Sequence, residues 1–484
     1  MRDQNTNDGV MLPAGYTGSG FFHHILAEAT TKFPKVFSSY SLPNTKKFKG
    51  QYGEAVVQFE AMRASSEQRS EIAKYIVSRT HNQLMFKNQG DAIKFKDYMA
   101  DTCQPAPMKK FSLSGQKGLK PAIPFRKQIY QANSFKSLSD LLLKEHKITK
   151  SAAKALNWIE KYCEQHDGMI DLRGQKFVIM GASAELAPTK LLLAAGASVL
   201  WIDIQSPESI LSDHCLGGEL TFAEEASNIL LQPKKIKTTI EAFSEGDPLH
   251  IGMFAYAAGA SQEWRLTATM NGIIRNLNPE IVKSVSMFIS PTSAAVIQKE
   301  DLHTAKKLNQ QPPAWQKLLK NIGQLQQQIS FEWQGTSVAR GIVPLQGVSY
   351  QAAQYVSKTL AAEVFATHGL NLTSTVPKPI AISANVAGIT KTRSLRHPVF
   401  QAAFRGATSF GVEIFEVPTT RALSGILILH DILNPVAAER KTHELFSNQV
   451  HGGIYTRPYA LDPMIRIATI MGLAQQPKLL LKML

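Results

Sequence analysis

The residues with the clearest chemical meaning form a turn of small side chains and a carboxylate that follows it. Gly181, Ala182 and Ser183 come directly after the apolar run 177–180, and Asp203 lies 22 residues after Gly181. A turn of small residues lets a pyrophosphate approach the backbone, and a helix N-terminus behind it offers free N–H groups. A carboxylate at this spacing can accept a hydrogen bond from a ribose 2′-hydroxyl and repels a 2′-phosphate. The pattern therefore predicts a nucleotide site that favours NAD(H) over NADP(H).

The turn departs from the usual glycine pattern at two positions. Glu185 and Ala187 stand where glycines are common in such turns. We expect Ala187, with Gly181 and Ser183, to line the phosphates. A glutamate so close to a phosphate is unfavourable unless it points away or caps a backbone N–H. The alternative interpretation is a β-α-β unit that binds no nucleotide.

The elements that must position this turn form a β-α-β unit. Its strands are expected at 177–180 and 199–202, and its helix contains residues 191–195 and ends at Gly196. Further predicted strands alternate with helical segments such as 350–367, and they lie at residues 228–231, 249–255, 285–289 and 380–384. This alternation predicts an α/β fold with a doubly wound parallel sheet, which resembles the Rossmann arrangement.

The chain of 484 residues is too long for one ordinary core, so more than one unit is expected. We expect an N-terminal helical or mixed domain that covers a substrate or binds a partner, a helical linker, and a Rossmann-like domain that carries a polar insertion. The N-terminal domain is predicted at 1–135 and the linker at 136–168. The Rossmann-like domain is predicted at 169–484, with the insertion inside it at about 300–340.

Composition narrows the class of protein. Hydrophobic residues make up 44% and charged residues 19%, as in globular chains, and the formal net charge is +15. That charge suits acidic partners, although a generally basic surface is the simpler interpretation. No apolar run is long enough for a membrane span, no nucleic-acid-binding motif is visible, and we expect no signal peptide. Three scattered cysteines predict neither disulfides nor a metal site, so a cytoplasmic location is expected.

Several short segments occur in an order that resembles the short-chain dehydrogenase/reductase superfamily. They are 172–176 before the first strand, Ala257-Ala258-Gly259 after the fourth, Ser290 or Ser293 after the fifth, and Gly388 with Thr392 after the sixth. The resemblance covers about residues 170–395. It implies that Ala258 and Gly259 flank the cofactor, that Gly388 and Thr392 approach its nicotinamide, and that Ser290 polarises a carbonyl.

The same resemblance implies a tyrosine and a lysine on one helix, where the tyrosine exchanges a proton and the lysine supports it. Lys358 matches the lysine, but Gln354 stands in the usual tyrosine position. Tyr350 precedes Lys358 by eight residues, which in an α-helix places it roughly 80° away around the axis. Tyr355, three residues before Lys358, is the other candidate. Enoyl-acyl carrier protein reductases, a branch of this superfamily, also separate the two residues more widely.

The expected function is thus an NAD(P)(H)-dependent oxidoreductase with Tyr350, Lys358 and Ser290 as catalytic residues. Its substrate would carry a carbonyl or enoyl group on a small molecule or an acyl thioester, and an acidic carrier protein would suit the basic surface. Gln354 and Glu185 favour the alternative of an inactive nucleotide-sensing or interaction protein. A third alternative is a basic interaction protein whose N-terminal domain binds an acidic partner. By analogy alone, we expect a homodimer.

Overall fold

The computed structural model describes residues 8–481 apart from Lys117, Ala258, Ala260, Thr375 and Lys441. In chain order, its strands are β1 (Gly9–Met11), β2 (Met85–Asn88), β3 (Asp91–Lys94), β4 (Lys109–Ser112), β5 (Ala122–Phe125), β6 (Gln128–Gln131), β7 (Lys176–Met180), β8 (Ser198–Ile202), β9 (Glu219–Phe222), β10 (Leu249–Met253), β11 (Val282–Ile289), β12 (Ser330–Trp333), β13 (Thr336–Ala339) and β14 (Ala381–Val386).

The helices alternate with these strands through most of the chain. They are α1 (Gly18–Lys32), α2 (Thr45–Ser65), α3 (Arg69–Gln83), α4 (Phe95–Ala100), α5 (Phe135–Lys144), α6 (Lys150–Glu164), α7 (Thr189–Ala194), α8 (Glu208–Leu211), α9 (Pro233–Ser244), α10 (Gln262–Arg275), α11 (Lys299–Gln310), α12 (Ala314–Asn321), α13 (Val348–Gln354), α14 (Ala361–His368), α15 (Pro398–Ala407), α16 (Val417–Leu433), α17 (Leu461–Gln475) and α18 (Lys478–Leu481). A π-helical segment, Tyr355–Leu360, joins α13 to α14.

The central sheet has seven strands in the order β14-β11-β10-β7-β8-β9-β4. All neighbours are parallel except β4, which runs antiparallel to β9. Val178 of β7 pairs with Ile251 on one side and Leu200 on the other, and all three side chains are fully buried. Continuous apolar runs suit strands that are covered on both faces. The structure thus confirms an α/β chain around a mainly parallel sheet.

The direction of winding reverses between β7 and β10. From β7 the chain adds β8 and β9 on one side, and it then crosses over to add β10, β11 and β14 on the other. Connections that leave two neighbouring strands in opposite directions open a crevice at the carboxyl ends of those strands. The strand order therefore places a crevice beside Gly181, the residue that follows β7.

The predicted third strand is wrong. Residues 228–231 form a turn, and the strand next to β8 is β9, nine residues nearer the N-terminus. The Asn228 side-chain oxygen accepts hydrogen bonds from the backbone N–H groups of Leu230 and Leu231, each at 3.1 Å. An asparagine that bonds its own following backbone favours a turn over a strand. The other three predicted strands correspond to β10, β11 and β14, with boundaries shifted by one to three residues.

The N-terminal segment packs directly on the central sheet. Its strand β4 forms one edge of the sheet. Phe21, Val56 and Ile76 from helices α1 to α3 belong to the same buried cluster as Val178 and Leu200 of the sheet. The N-terminal helices therefore share one buried cluster with the central sheet.

The expected linker also forms a packed layer. Helices α5 and α6 share a second buried cluster with α16 and with the opposite face of the sheet, including Phe177 and Val199. The expected insertion contains α11, α12 and the β12–β13 hairpin, and it packs with the C-terminal helices in a third cluster. None of the helices among the described residues is long and apolar enough to cross a membrane.

Candidate functional site

Two adjoining cavities follow the carboxyl ends of the central strands. The larger, of about 630 Å³, extends from the turn after β7 to the end of β8, and the smaller, of about 420 Å³, lies beside the ends of β10, β11 and β14. They share a boundary that consists of Ala184, Glu185, Ala255, Tyr256 and Arg393. Together they form one cleft at the crevice that the strand order creates.

Gly181 is required by the packing of the turn that begins the larger cavity. Its φ is +85°, and a Cβ atom added there would lie 2.1 Å from the backbone nitrogen of Ala255. Only glycine tolerates both the left-handed conformation and this approach of two backbones. Ser183 and Ala187 line the same cavity. The helix behind the turn, α7, has six residues and begins only at Thr189, so the expected helix N-terminus does not directly follow the glycine.

Asp203 connects the end of β8 to this turn. Its Oδ2 accepts hydrogen bonds from the backbone N–H of Ser183 at 2.9 Å and from the Ser183 hydroxyl at 2.7 Å. Its Oδ1 accepts from the Gln205 N–H at 3.0 Å. The carboxylate therefore orders the turn, and Asp203 also lines the larger cavity.

The Glu185 side chain caps a backbone N–H, which is one of the two arrangements that make a glutamate tolerable in a phosphate-binding turn. Its carboxylate accepts a hydrogen bond from the backbone N–H of Arg393 at 2.9 Å and lies 3.7 Å from the Arg393 side-chain Nε. The Arg421 side chain donates to the Glu185 carbonyl at 2.6 Å. Both arginines line the larger cavity together with Lys190, so its wall carries three cations against the carboxylates of Glu185 and Asp203.

The smaller cavity collects Ser290, Tyr350 and Lys358 from three different elements. The Ser290 hydroxyl lies 2.7 Å from that of Thr292. Burial raises the pKa of the Tyr350 phenol, and the neighbouring Ser290 and Thr292 hydroxyls oppose that effect. Burial lowers the pKa of Lys358, and the negative charge of Glu263 opposes it. A phenol, an ammonium group and a hydroxyl that face one cavity can together exchange a proton with a bound carbonyl compound.

A π-helical segment places Tyr350 and Lys358 on one face. In a regular α-helix their separation would leave them roughly 80° apart. The turn that contains Lys358 is π-helical and holds about one residue more than an α-helical turn, so eight residues span about two full turns. The Asn271 side chain donates to the Ser357 carbonyl at 2.8 Å and thereby satisfies a backbone group in this segment.

Gln354 and Tyr355 have positions that explain why neither replaces Tyr350. The Gln354 side-chain oxygen accepts a hydrogen bond from the backbone N–H of Ser290 at 2.9 Å, so it holds the serine loop beside the cavity. The Tyr355 phenol donates to Glu60 at 2.7 Å, inside the core formed with the N-terminal helices. Tyr355 does not line the cavity.

The remaining predicted cofactor residues divide into two groups. Gly388 and Thr392 line the smaller cavity beside Ser290. Gly259 is exposed and lines neither part of the cleft, and Ala258 lies outside the described residues. Among the described residues, no cluster of His, Cys, Asp and Glu side chains could hold a metal ion.

Sequence reasoning missed four residues of the cleft or its surroundings: Tyr256, Glu263, Arg393 and Arg421. Arg393 directly follows Thr392, so the segment predicted to approach the cofactor could have suggested it. No spacing links Glu263 or Arg421 to the other site residues, because each reaches the site through folding alone.

No protein-family model and no curated protein matches this chain. The function of the cleft must therefore be inferred from its own geometry.

Proposed function

We propose that the cleft binds a nicotinamide dinucleotide, NAD(H) in preference to NADP(H), and that the chain is an oxidoreductase of the short-chain dehydrogenase/reductase type. The six parallel strands support this, since their order is that of the Rossmann fold, which binds dinucleotides at the crevice where winding reverses. The observation that carries the proposal is the convergence of Ser290, Tyr350 and Lys358 on a cavity that adjoins the one lined by Gly181 and Asp203.

The larger cavity fits the adenosine and diphosphate part of such a cofactor. Asp203 Oδ1 retains a lone pair for a ribose hydroxyl, and its charge disfavours a 2′-phosphate. Arg393 and Arg421 supply positive charge beside the backbone turn. These groups would hold the diphosphate in place of a helix N-terminus, which the short and distant α7 does not provide.

The smaller cavity fits the reacting groups. A bound nicotinamide would supply or accept the hydride. Tyr350 would donate a proton to the substrate oxygen or remove one from it, and Ser290 would donate a hydrogen bond to that oxygen. The positive charge of Lys358 would stabilise the phenolate form of Tyr350. The apolar side chains of Met253, Phe254 and Phe288 in the wall suit a carbonyl or enoyl compound, including an acyl thioester, better than a strongly polar one.

Calorimetric titration with NADH and NADPH tests this proposal. We expect NADH to bind more tightly, and Asp203→Asn to shift the preference towards NADPH because it removes the negative charge. Tyr350→Phe should leave NADH binding unchanged and slow turnover of keto and enoyl thioesters by roughly a hundredfold or more. If neither nucleotide binds to the unaltered protein, the proposal is wrong.

One observation favours a second candidate, a nucleotide-binding protein without catalysis. Gln354 occupies the position where the family carries its tyrosine, and its side chain is already used to hold the Ser290 loop. NADH binding without turnover of any carbonyl or enoyl compound would support this candidate. The cytoplasmic location and the homodimer remain proposals that rest on composition and analogy.

A further inference from the structure

Glu263 is a buried carboxyl group for which the proposed reaction has no role. It lies in the first turn of α10, its residue is 4% exposed, and it lines neither cavity. Its Oε2 accepts a hydrogen bond from the backbone N–H of Ala257 at 2.8 Å. Its Oε1 is buried and has no hydrogen-bond partner among the described residues. A carboxyl group left half-satisfied in the interior is costly, which calls for a functional explanation.

Lys358 is the cation that interacts with this carboxyl group. Its residue is 8% exposed, and its Nζ forms no hydrogen bond or ion pair within 4.0 Å with any residue that the structure describes. The two groups lie on elements that pack together, α10 and the π-helical segment, and the charge of each opposes the effect of burial on the pKa of the other. Asn271, on the same helix as Glu263, anchors that segment through the Ser357 carbonyl.

Two tyrosines are also affected by the charge of Glu263. Tyr350 and Tyr256 both experience the negative charge of Glu263, which opposes their ionisation. Burial raises the pKa of Glu263 to about 7, against the opposing effects of Lys358 and the Ala257 N–H. Glu263 and Lys358 are therefore a pair of buried groups whose protonation states depend on each other.

We propose that Glu263 is a positioning residue that keeps Lys358 in its charged form and thereby sets the upper pH limit of proton transfer by Tyr350. The inference rests on the proposed function for its significance. Its physical content is the coupling of two buried charges, which can be measured without cofactor or turnover.

The substitution Glu263→Gln isolates the charge, because the glutamine side-chain oxygen can still accept the Ala257 N–H. Without the negative charge, burial lowers the pKa of Lys358 further, and more of the amine is free at neutral pH. Acetylation of Lys358 by acetic anhydride, followed by mass spectrometry and normalised to the exposed Lys317, measures that fraction. We expect a several-fold increase, roughly tenfold for each unit by which the pKa falls.

The control is Glu332→Gln, which removes an exposed carboxylate that pairs with Lys306 at 3.6 Å, away from the cleft. This variant should leave Lys358 labelling unchanged. Unchanged labelling of Lys358 in Glu263→Gln would overturn the inference. If turnover is observed, its upper pH limit should also move downwards in Glu263→Gln and not in the control.

A second measurement applies even if Glu263→Gln does not fold. Infrared spectroscopy of the unaltered protein should show a buried carboxylic acid that titrates near pH 7, and its midpoint should rise in Lys358→Met because the stabilising cation is lost. An identical midpoint in the two proteins would refute the coupling. Altered labelling together with absent NADH binding would instead refute the proposed function and leave the coupling intact.

Discussion

Replacing Gly181 by alanine should destabilise the protein at the centre of its cleft. The φ of +85° costs an L-residue about 1–2 kcal/mol. In addition, the new Cβ would lie 2.1 Å from the Ala255 nitrogen and 2.7 Å from the Phe254 carbonyl carbon, which are backbone atoms that cannot rotate away. Overpacking of this kind typically costs about 1–3 kcal/mol. We expect Gly181→Ala to lower the free energy of unfolding by about 2–5 kcal/mol, measured by urea denaturation followed by circular dichroism.

Gly174 provides a matched control. Its φ is +79°, but a Cβ atom added there would have no neighbour within 4 Å. Gly174→Ala therefore carries the conformational cost alone, about 1–2 kcal/mol. The difference between the two variants measures the close approach of the chains that follow β7 and β10. If both variants lose the same stability within about 0.5 kcal/mol, the packing argument for Gly181 is refuted.

Two further predictions concern side chains that hold the site and the core. Gln354→Ala leaves the Ser290 N–H without its acceptor, which should cost about 1–3 kcal/mol of stability. The variant should also slow any turnover and keep its affinity for NADH. An unaltered rate and stability would contradict the role of Gln354. Burial alone would raise the pKa of Glu363, but Arg63 and Arg69 outweigh it and lower the pKa to about 2. Because the pKa is lower in the folded state, Glu363 contributes stability above its ordinary value of 4.5 that is lost as the pH falls towards 2. Glu363→Gln should lower the free energy of unfolding by about 3–5 kcal/mol at pH 7. In acid denaturation, the variant should lose less stability between pH 5 and about 2 than the unaltered protein does. An equally steep loss in the variant would show that another group is responsible.

The turn and the carboxylate at the larger cavity were predictable because they belong to one β-α-β unit. Gly181, Ser183 and Asp203 are brought together by strand pairing between β7 and β8, which the apolar runs of both strands already indicate. The arrangement of residues around the smaller cavity was less predictable. The shared face of Tyr350 and Lys358 depends on a π-helical turn, and helical periodicity assumes a regular α-helix.

The sequence by itself determined the elements whose signals are local. Continuous apolar runs specified β7, β8, β10, β11 and β14, and a small-residue turn specified the beginning of the cleft. Tertiary structure decided which short segment became the third parallel strand, because Glu219–Phe222 pairs with β8 whereas the Asn228 side chain holds residues 228–231 in a turn. It also decided that the Tyr355 phenol donates to Glu60, a residue 295 positions away, and that the Gln354 side chain accepts from the Ser290 N–H. Such contacts join residues far apart along the chain, and their energy depends on burial, which no local pattern in the sequence records.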